Sequence, residues 1–488
     1  MVKYKSVKFN FIMNFILTLS NFIFPLITFP YVSRILQASG LGKVGFATSI
    51  VAYFSMIAMM GIPTYGIKAC AKIRDDGYKL TKTVYELLIL NTVFLVFALT
   101  LLLLSVIFIE KLYLDKELYI ILAFSMLFNV LGVEWLYKAL EQYSYITIRS
   151  IFFKIASLIL LFIFVKESDD IIPYAMLTVL ASVGAGILNF YNLRKIITLH
   201  KITFKQLEII KHIKPSFTFF LLTISITIYV NLDSVMLGFM TNDTNVGYYS
   251  TAVKIKQILI SLVTSLGAVM LPRLAFYYEQ KRFDKFKDLV KNALSFILIV
   301  SLPLTIYFTL YAKDAIFLLS GESFLASVEP MQIIMPTVFF IALSNLMGWQ
   351  ILVPMDKEKQ IMLSTIIGAL VGFLINLLMI PHWGVNAVAL ANLCAELSVT
   401  LVQIILLRNF ILPIFIRISI WRMLFSLLIA LGVTFIIPFN FSVLINLLLS
   451  SFLFFGSYLI SLLLLKEPMV HQIFSSVLNK IKLKRNAL

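Results

Sequence analysis

Long apolar segments recur along the chain and alternate with short polar connections. A helix that crosses the hydrocarbon core of a bilayer needs about 20 mainly apolar residues. Fourteen windows meet this requirement, at residues 10–32, 43–63, 84–109, 117–137, 147–165, 171–191, 215–239, 246–272, 289–312, 328–353, 360–380, 384–407, 418–438 and 442–465. The pattern predicts an all-α polytopic membrane protein with 14 transmembrane helices.

Lys and Arg residues are concentrated in alternate connections between these windows, and few lie in the others. Cytoplasmic loops retain Lys and Arg, so the asymmetry predicts orientation. An even number of spans places both termini on one side, and the basic tails place that side in the cytoplasm. Of the 41 Lys and Arg residues, we assign Lys254 and Lys256 to the interior of a span.

The two halves of the chain share short motifs. Asn129 and Gly132 in the fourth window match Asn345 and Gly348 in the tenth, with the same offset for both pairs. Because both halves begin on the cytoplasmic side, the match predicts two six-helix lobes in a parallel pseudo-repeat around a central cavity. The expected parts are an N-terminal lobe, an amphipathic cytoplasmic linker, a C-terminal lobe, and an appended helix pair with a basic cytoplasmic tail, at residues 1–200, 201–214, 215–410 and 411–488.

Composition agrees with a protein solvated mainly by lipid. The 488 residues are 60% hydrophobic and 13% charged, whereas about a quarter of a soluble protein is charged. The formal charge is +17, but the basic residues are divided among separate short regions, so we expect membrane lipid and no nucleic acid as a partner. No catalytic motif occurs, and two distant Cys residues form no metal spacing. We therefore expect neither an enzyme nor a cofactor.

Polar residues form a stripe on the eighth predicted helix. Lys254 and Gln257 share one face with three further residues, Ser250, Ser261 and Ser265. Such groups are costly in lipid unless they face a cavity or a partner. We interpret Lys254 either as a cation that binds an anionic substrate or as the structural partner of an acid such as Asp233. Lys256 lies on another face and should pair with a neighbouring helix or extend to the membrane surface.

The first predicted helix carries a second polar stripe. Asn14 and Asn21 lie on it and are candidate substrate-binding residues. Pro25 and Pro30 remove backbone donors and should kink or break the helix near its outer end. Arg34 follows at the outer mouth, where its guanidinium could bind phosphate oxygens or anchor to lipid headgroups.

Three acids lie at membrane depth. Asp233 is in the seventh window, Glu396 near the middle of the twelfth, and Glu134 near the cytoplasmic end of the fourth. Low dielectric favours the protonated carboxyl group, so each could take up a coupling proton. The alternative for each is an ion pair that joins two helices.

The opening of the chain resembles a known family. Phe24–Leu36 and the following Gly40–Gly42 are similar to the first span of the Wzx-type polysaccharide repeat-unit flippases, in the superfamily of the multidrug and toxic-compound extruders. Further similar segments are Gly61–Lys68, Glu134–Trp135, Asp233–Gly238 and Val246–Tyr248. One departure concerns the residue after Leu36, where the family often has Gly and this chain has Gln37.

This resemblance implies a two-lobed bundle that works by alternating access. The implied substrate is an undecaprenyl-pyrophosphate-linked oligosaccharide. It would move from the cytoplasmic to the outer leaflet of a bacterial cytoplasmic membrane, for capsule, O-antigen or exopolysaccharide assembly. A coupling proton or other ion, a polysaccharide polymerase and chain-length machinery are the implied partners.

Three other functions compete with the flippase. An ion-coupled multidrug or small-molecule exporter of the same fold usually takes cations, which Lys254 and Arg34 disfavour. A membrane polysaccharide polymerase typically uses a large outer loop, and the longest one here, about residues 313–327, holds only Asp314 and Glu322 as acids. A scaffold protein gives no reason to place Lys254 within a span.

Overall fold

The computed structural model describes residues 7–197, 202–436, 441–472 and 474–475. Every regular element in these ranges is a helix, which confirms the all-α prediction. The α-helices are α1 Val7–Met59, α2 Ile62–Lys72, α3 Gly77–Phe108, α4 Glu110–Leu114, α5 Lys116–Leu131, α6 Glu134–Ala139, α7 Tyr143–Phe164, α8 Ile171–Ile196, α9 Ile213–Met240, α10 Asp243–Glu279, α11 Phe283–Leu310, α12 Ala312–Ser320, α13 Val328–Ile334, α14 Thr337–Asn345, α15 Glu358–Trp383, α16 Val385–Leu406, α17 Arg408–Ile416, α18 Ile420–Ile436 and α19 Val443–Leu464. The predicted basic tail, from residue 476, lies outside the described residues.

Several of these helices suit a bilayer. Within the described ranges, 10 are long and apolar enough to cross a membrane, or up to 12 if each of two bent pairs is one span. The first, Ile12–Lys72, has 61 residues, enough for two crossings of about 20 residues each. Helix α10 covers the eighth predicted window but is not among the 10. The multi-pass architecture is confirmed, and the number 14 stays a prediction.

The break in the first long helix falls at Gln37 and not at the prolines. Pro25 and Pro30 lie inside α1, whereas Gln37 has φ 56° and ψ −176°, a conformation nearly restricted to glycine. A missing proline donor is tolerated in a membrane helix, because neighbouring groups and local adjustments satisfy the freed carbonyl. The predicted break at the prolines is therefore wrong, whereas a kink there stays a prediction. The helix changes direction at the residue where the resembled family often has Gly.

The chain forms two compact units, Met1–Gly247 and Tyr248–Leu488. Helix α9 packs against α1 and α2, and so belongs to the first unit. The predicted lobe boundary at 201–214 precedes α9, and that division stays a prediction. At the end of the first unit, a Cβ at Gly247 would collide with the backbone of Ala38, and one at Gly42 with Asp243. These two glycines allow backbones to approach closely.

Both glycines of the proposed repeat lie at irregular backbone. Gly132 ends α5, and Val133 with φ 39° separates it from α6. Gly348 lies within the π-helical stretch Leu346–Leu352, between α14 and α15. Irregular backbone at membrane depth requires partners for its freed polar groups, and is frequent at functional sites. The equivalent positions of the two halves therefore share a structural feature as well as a sequence motif.

The appended helices belong to the second unit and pack against its other helices. Helices α18 and α19 contact each other, and α19 also contacts α11 and α12. Tyr307 of α11 is almost fully buried there, and its hydroxyl oxygen lies 2.9 Å from the carbonyl oxygen of Leu447 and 2.8 Å from Oγ of Ser450. A buried tyrosine whose hydroxyl is satisfied fixes this contact.

Candidate functional site

Helices α1 and α7 lie side by side in the first unit and are joined along their lengths. At one end, Thr147 Oγ1 donates to the Met13 carbonyl (2.9 Å), and at the other Tyr31 Oη donates to the Val165 carbonyl (2.8 Å). Between them, Lys154 Nζ donates to Ser20 Oγ (2.7 Å) and Asn21 Oδ1 (2.5 Å). Lys154 therefore lies in the middle of the contact between α1 and α7. Its ammonium also lies 5.8 Å from the ring centre of Phe24.

The predicted polar stripe on α1 is exposed. Asn14, Thr18 and Asn21 share one face of the helix, and all three are exposed in the structure. The Thr18 hydroxyl donates to the Asn14 carbonyl at 2.9 Å, whereas the Asn21 side chain accepts from Lys154. Exposed polar groups inside a spanning segment require water or a polar ligand beside them. This face is the first candidate site.

Arg34 lies further along α1 and is exposed. Its Nη1 donates to the carbonyl of Pro30 at 2.8 Å, and its own carbonyl accepts from Gln37 Nε2 at 2.6 Å. The guanidinium thus lies one turn before the break in α1. Its role in substrate binding stays a prediction.

Glu134 lies in a partly buried network of polar groups around the break between α5 and α6. It accepts hydrogen bonds from Lys138 and Arg149, both at 2.9 Å. Arg149 is only 4% exposed and also donates to Asn189, which in turn donates to the freed carbonyl of Gly132 at 2.7 Å. The network satisfies irregular backbone, and its cations and acid compensate one another. This geometry favours the structural interpretation of Glu134.

Asp233 is 6% exposed on α9, in the first unit, and its carboxylate is close enough to Tyr53 to interact electrostatically. Lys254 lies on the polar stripe of the second unit, so the suggested pair of Asp233 with Lys254 joins residues of different units and stays a prediction.

The two predicted cations of the second unit, Lys254 and Lys256, have different surroundings. Lys256 is 7% exposed and donates to Asn392 Oδ1 of α16 at 2.9 Å, so its predicted pairing with a neighbouring helix is confirmed. Lys254 is half-buried, with no acid among the described residues of its own unit close to its ammonium, and Gln257 is exposed. The Ser265 side chain lies outside the described residues. Glu396 of α16 is 7% exposed.

A cluster of charged groups attaches the linker to the first unit. The linker forms two 3₁₀ turns, Phe204–Gln206 and Ile209–His212. Glu86 of α3 is fully buried. Its carboxylate accepts from the backbone N–H of Glu208 (2.7 Å), from Lys211 (3.1 Å) and from Nε2 of His212 (2.8 Å). On the other side of the histidine ring, Tyr65 Oη lies 2.7 Å from Nδ1. The hydrogen bond from Lys211 lowers the pKa of Glu208.

Lys154, Arg149 and the Glu86 cluster are not among the functional residues predicted from sequence. We assign only Lys254 and Lys256 to the interior of a span, although Arg149 and Lys154 also lie inside a predicted window, 147–165. That overlap was the available signal for both residues. Glu86 also lies inside a predicted window, 84–109, but its partners Lys211 and His212 are distant in sequence and could not be predicted. Within the described residues no group of His, Cys, Asp and Glu side chains could hold a metal ion.

Comparison with protein families identifies the chain. The model of the family described as polysaccharide biosynthesis protein matches residues 7–277, more than half of the sequence. The chain belongs to this family. A second model, MatE, matches residues 219–378. The family resemblance inferred from the first spanning segment is confirmed.

Two curated relatives have similar lengths. A protein of Escherichia coli (strain K12) named as a candidate O-antigen transporter is 25% identical over 392 residues, which cover 80% of this chain and 94% of the relative. A protein of Shigella dysenteriae with the same name is 24% identical over 81% of this chain and 98% of its own. Both names describe transport, in agreement with the non-enzymatic function expected from the sequence.

Solved structures show the same fold. A lipid II flippase MurJ in an inward closed conformation matches with a TM-score of 0.74 and 17% identity, over 91% of this chain and 97% of that one. An inward-facing multidrug resistance MATE family transporter of the MOP superfamily matches with a TM-score of 0.62 and 11% identity, over 80% and 95%. The protein is a multi-pass membrane protein of this transporter fold.

Proposed function

We propose that the protein moves an undecaprenyl-pyrophosphate-linked oligosaccharide from the cytoplasmic to the outer leaflet by alternating access. The observation that carries the proposal is the exposed polar face of α1, formed by Asn14, Thr18 and Asn21 within the first spanning segment. Apolar side chains are exposed on the same helix, among them Phe15 and Ile23. A helix that presents both kinds of surface suits a ligand with a polar headgroup and a hydrocarbon chain.

Binding residues are proposed in both units. Asn14 and Asn21 contact the headgroup or sugars from α1, and Arg34 meets the pyrophosphate near the outer end. In the second unit Lys254 and Gln257 have the same role. An arginine fork and a lysine ammonium are the side chains that bind phosphate oxygens most strongly.

The coupling ion is proposed to act at Asp233 or Glu396. Both carboxyl groups are less than a tenth exposed and lie on spanning helices. Glu134 was a third candidate, but its ion pairs with Arg149 and Lys138 favour a structural role. Uptake of a proton by a buried acid changes the charge of its surroundings, and can thereby favour one conformation over another.

The proposed location is the bacterial cytoplasmic membrane, with both termini in the cytoplasm. The asymmetric distribution of Lys and Arg among the connections supports this orientation. A transporter in this position supplies a polymerase and chain-length machinery on the outer side. The product is O-antigen, capsule or exopolysaccharide.

Deletion of the gene tests the function directly. The deletion strain should lose its surface polysaccharide and accumulate lipid-linked oligosaccharide, measured by extraction and mass spectrometry. Lys254→Ala should behave like the deletion while the protein remains in the membrane at normal level. The matched control is Lys285→Ala, since Lys285 is exposed on α11. Normal surface polysaccharide without accumulation in the deletion strain contradicts the proposal.

A small-molecule exporter is the second candidate, since the MatE model matches residues 219–378. Such exporters usually take cations, and uncompensated lysines at membrane depth repel them. Increased sensitivity of the deletion strain to cationic drugs, with unchanged surface polysaccharide, would favour this candidate.

A further inference from the structure

Lys154 lies at the centre of its spanning helix. Helix α7 covers Tyr143–Phe164 in 22 residues, so Lys154 is about 16 Å from either end at about 1.5 Å per residue. The hydrocarbon core of a bilayer is about 30 Å thick. The ammonium therefore reaches α1 near mid-membrane depth, where an uncompensated charge is most costly.

The partners of this ammonium are neutral. Nζ donates to Ser20 Oγ and Asn21 Oδ1, and no acidic side chain of the described residues lies near it. The Ser20 hydroxyl donates its own hydrogen to the Leu17 carbonyl at 2.7 Å, which leaves its lone pairs for the lysine. Two oxygens thus orient the ammonium without neutralising it. A helix-joining role alone does not require a charge at this place.

The same contacts leave donors available. An ammonium has three N–H groups, and Ser20 and Asn21 accept two of them. The Asn21 amide group adds two more donors beside the lysine, on the exposed polar face of α1. A cation and an adjacent amide match the oxygens of a phosphate, and the interaction is strong where water is scarce.

We propose that Lys154, oriented by Ser20 and Asn21, binds the pyrophosphate of the lipid-linked substrate midway across the membrane. The inference rests on the proposed function and adds a specific contact to it. The charge that the protein leaves uncompensated is balanced by the two phosphates of the substrate as they pass. Lys154 is thus a headgroup-binding residue at the depth where desolvation of the phosphates costs most.

Binding of undecaprenyl pyrophosphate to the purified full-length chain tests this role, with undecaprenol as the neutral probe. Lys154→Gln keeps a side chain that can bond to Ser20 or Asn21 but removes the charge. It should weaken binding of the pyrophosphate by about 10- to 100-fold, the effect of one hydrogen bond between charged groups, and leave binding of undecaprenol unchanged. Lys154→Arg should restore affinity to within about threefold, because the charge returns.

Two controls separate binding from folding. Lys285→Gln removes an exposed lysine and should bind both probes as the wild type does, and the melting temperature of each variant is measured in the same detergent. Unchanged pyrophosphate binding by Lys154→Gln would overturn the inference. So would an equal loss for undecaprenol, which indicates disturbed packing. Inorganic pyrophosphate should compete in the wild type and not in Lys154→Gln.

A wrong role for Lys154 and a wrong transport function give different results in these experiments. If the deletion strain accumulates lipid-linked oligosaccharide and Lys154→Gln binds the pyrophosphate normally, the transport proposal stands and the role of Lys154 is lost. If the deletion strain accumulates none, the transport proposal itself is wrong.

Discussion

Arg149 and Lys154 lie on the same helix, α7, and differ in how their charges are held. Arg149 is 4% exposed and bonded to Glu134 and Asn189, so its charge is compensated by an acid. Lys154 is half-buried and, among the described residues, bonded to neutral oxygens only, beside an exposed polar face. The first cation stabilises irregular backbone, whereas the second keeps its charge available for a ligand. The surroundings, and not the residue type, distinguish the two roles.

The second unit repeats the contrast on α10. Lys256 is buried and bonded to Asn392 of a neighbouring helix, while Lys254 is half-buried with no acid among the described residues of its own unit close to it. Each unit thus contains a cation that its neighbours fix and a second cation for which we propose a role in substrate binding. Cations of the first kind should affect stability when they are removed, and those of the second kind should affect transport.

The largest effect on stability is expected at Glu86, the acid that is most completely surrounded by donors. Glu86→Leu leaves Lys211, His212 and the Glu208 backbone N–H without their acceptor. Breaking a buried ion pair costs about 3–5 kcal/mol, and we expect about 3 kcal/mol because Lys211 reaches water. Chemical denaturation in detergent micelles measures the change. Exposed Glu322→Leu is the control, and a loss below about 1 kcal/mol contradicts the assignment.

Arg149→Met should destabilise the first unit by about 2 kcal/mol. The Asn189 side chain loses a donor and Glu134 loses its buried partner, but the Glu134 side chain is 43% exposed and keeps Lys138, which reduces the cost below that of a fully buried pair. Lys154→Met should change stability by less than about 0.5 kcal/mol, since removal of an uncompensated cation relieves its desolvation. Equal losses for the two variants, in the same denaturation assay, would remove the distinction between them.

Lys256→Met should cost about 1 kcal/mol, because Asn392 Oδ1 loses a donor in a buried place. Lys254→Met should leave the midpoint of thermal unfolding almost unchanged while it abolishes surface polysaccharide. The pair is measured by thermal unfolding of purified protein together with complementation of a deletion strain. The reverse pattern, a stable Lys256 variant and an unfolded Lys254 variant, is the contradictory result.

The smallest effect is expected at Gln37, where the backbone and not a charge is strained. Gln37→Gly should stabilise the protein by about 0.5–1 kcal/mol. Relief of the strained backbone at Gln37 should stabilise the fold by about 1–3 kcal/mol. Two effects oppose this gain: glycine loses more conformational entropy on folding, and the hydrogen bond from the Gln37 side chain to the Arg34 carbonyl is lost. Thermal unfolding against Gln142→Gly, a control glycine where φ is −84°, checks the sign. A destabilised Gln37→Gly variant would show that the side-chain bond outweighs the strain.

The helices were predictable from sequence, because about 20 apolar residues in a row are a strong signal. The pairing of Lys256 with a neighbouring helix was also predictable, because helical periodicity places Lys256 and Lys254 on different faces of the same helix. The break at Gln37 was not. Proline is the usual cause of a break, and a glutamine in a left-handed conformation carries no local signal beyond the departure from the family pattern.

The candidate site was predictable only in part. Periodicity placed Asn14 and Asn21 on one face, and the structure shows that face exposed. Lys154 was not predicted, because the count of basic residues included it in the adjoining cytoplasmic loop although it lies well inside the window 147–165. Its pairing with Ser20 and Asn21 depends on which helices become neighbours, and that information lies in the tertiary fold.

Translocation in proteoliposomes tests most directly the claim that an uncompensated cation carries the substrate's phosphates. Wild-type protein, Lys154→Gln and Lys285→Gln are reconstituted with undecaprenyl-pyrophosphate-linked oligosaccharide, and the fraction reaching the opposite leaflet is measured over time. The account predicts rates that are equal for the wild type and Lys285→Gln and at least about 10-fold lower for Lys154→Gln. A Lys154→Gln rate equal to that of the wild type would contradict it.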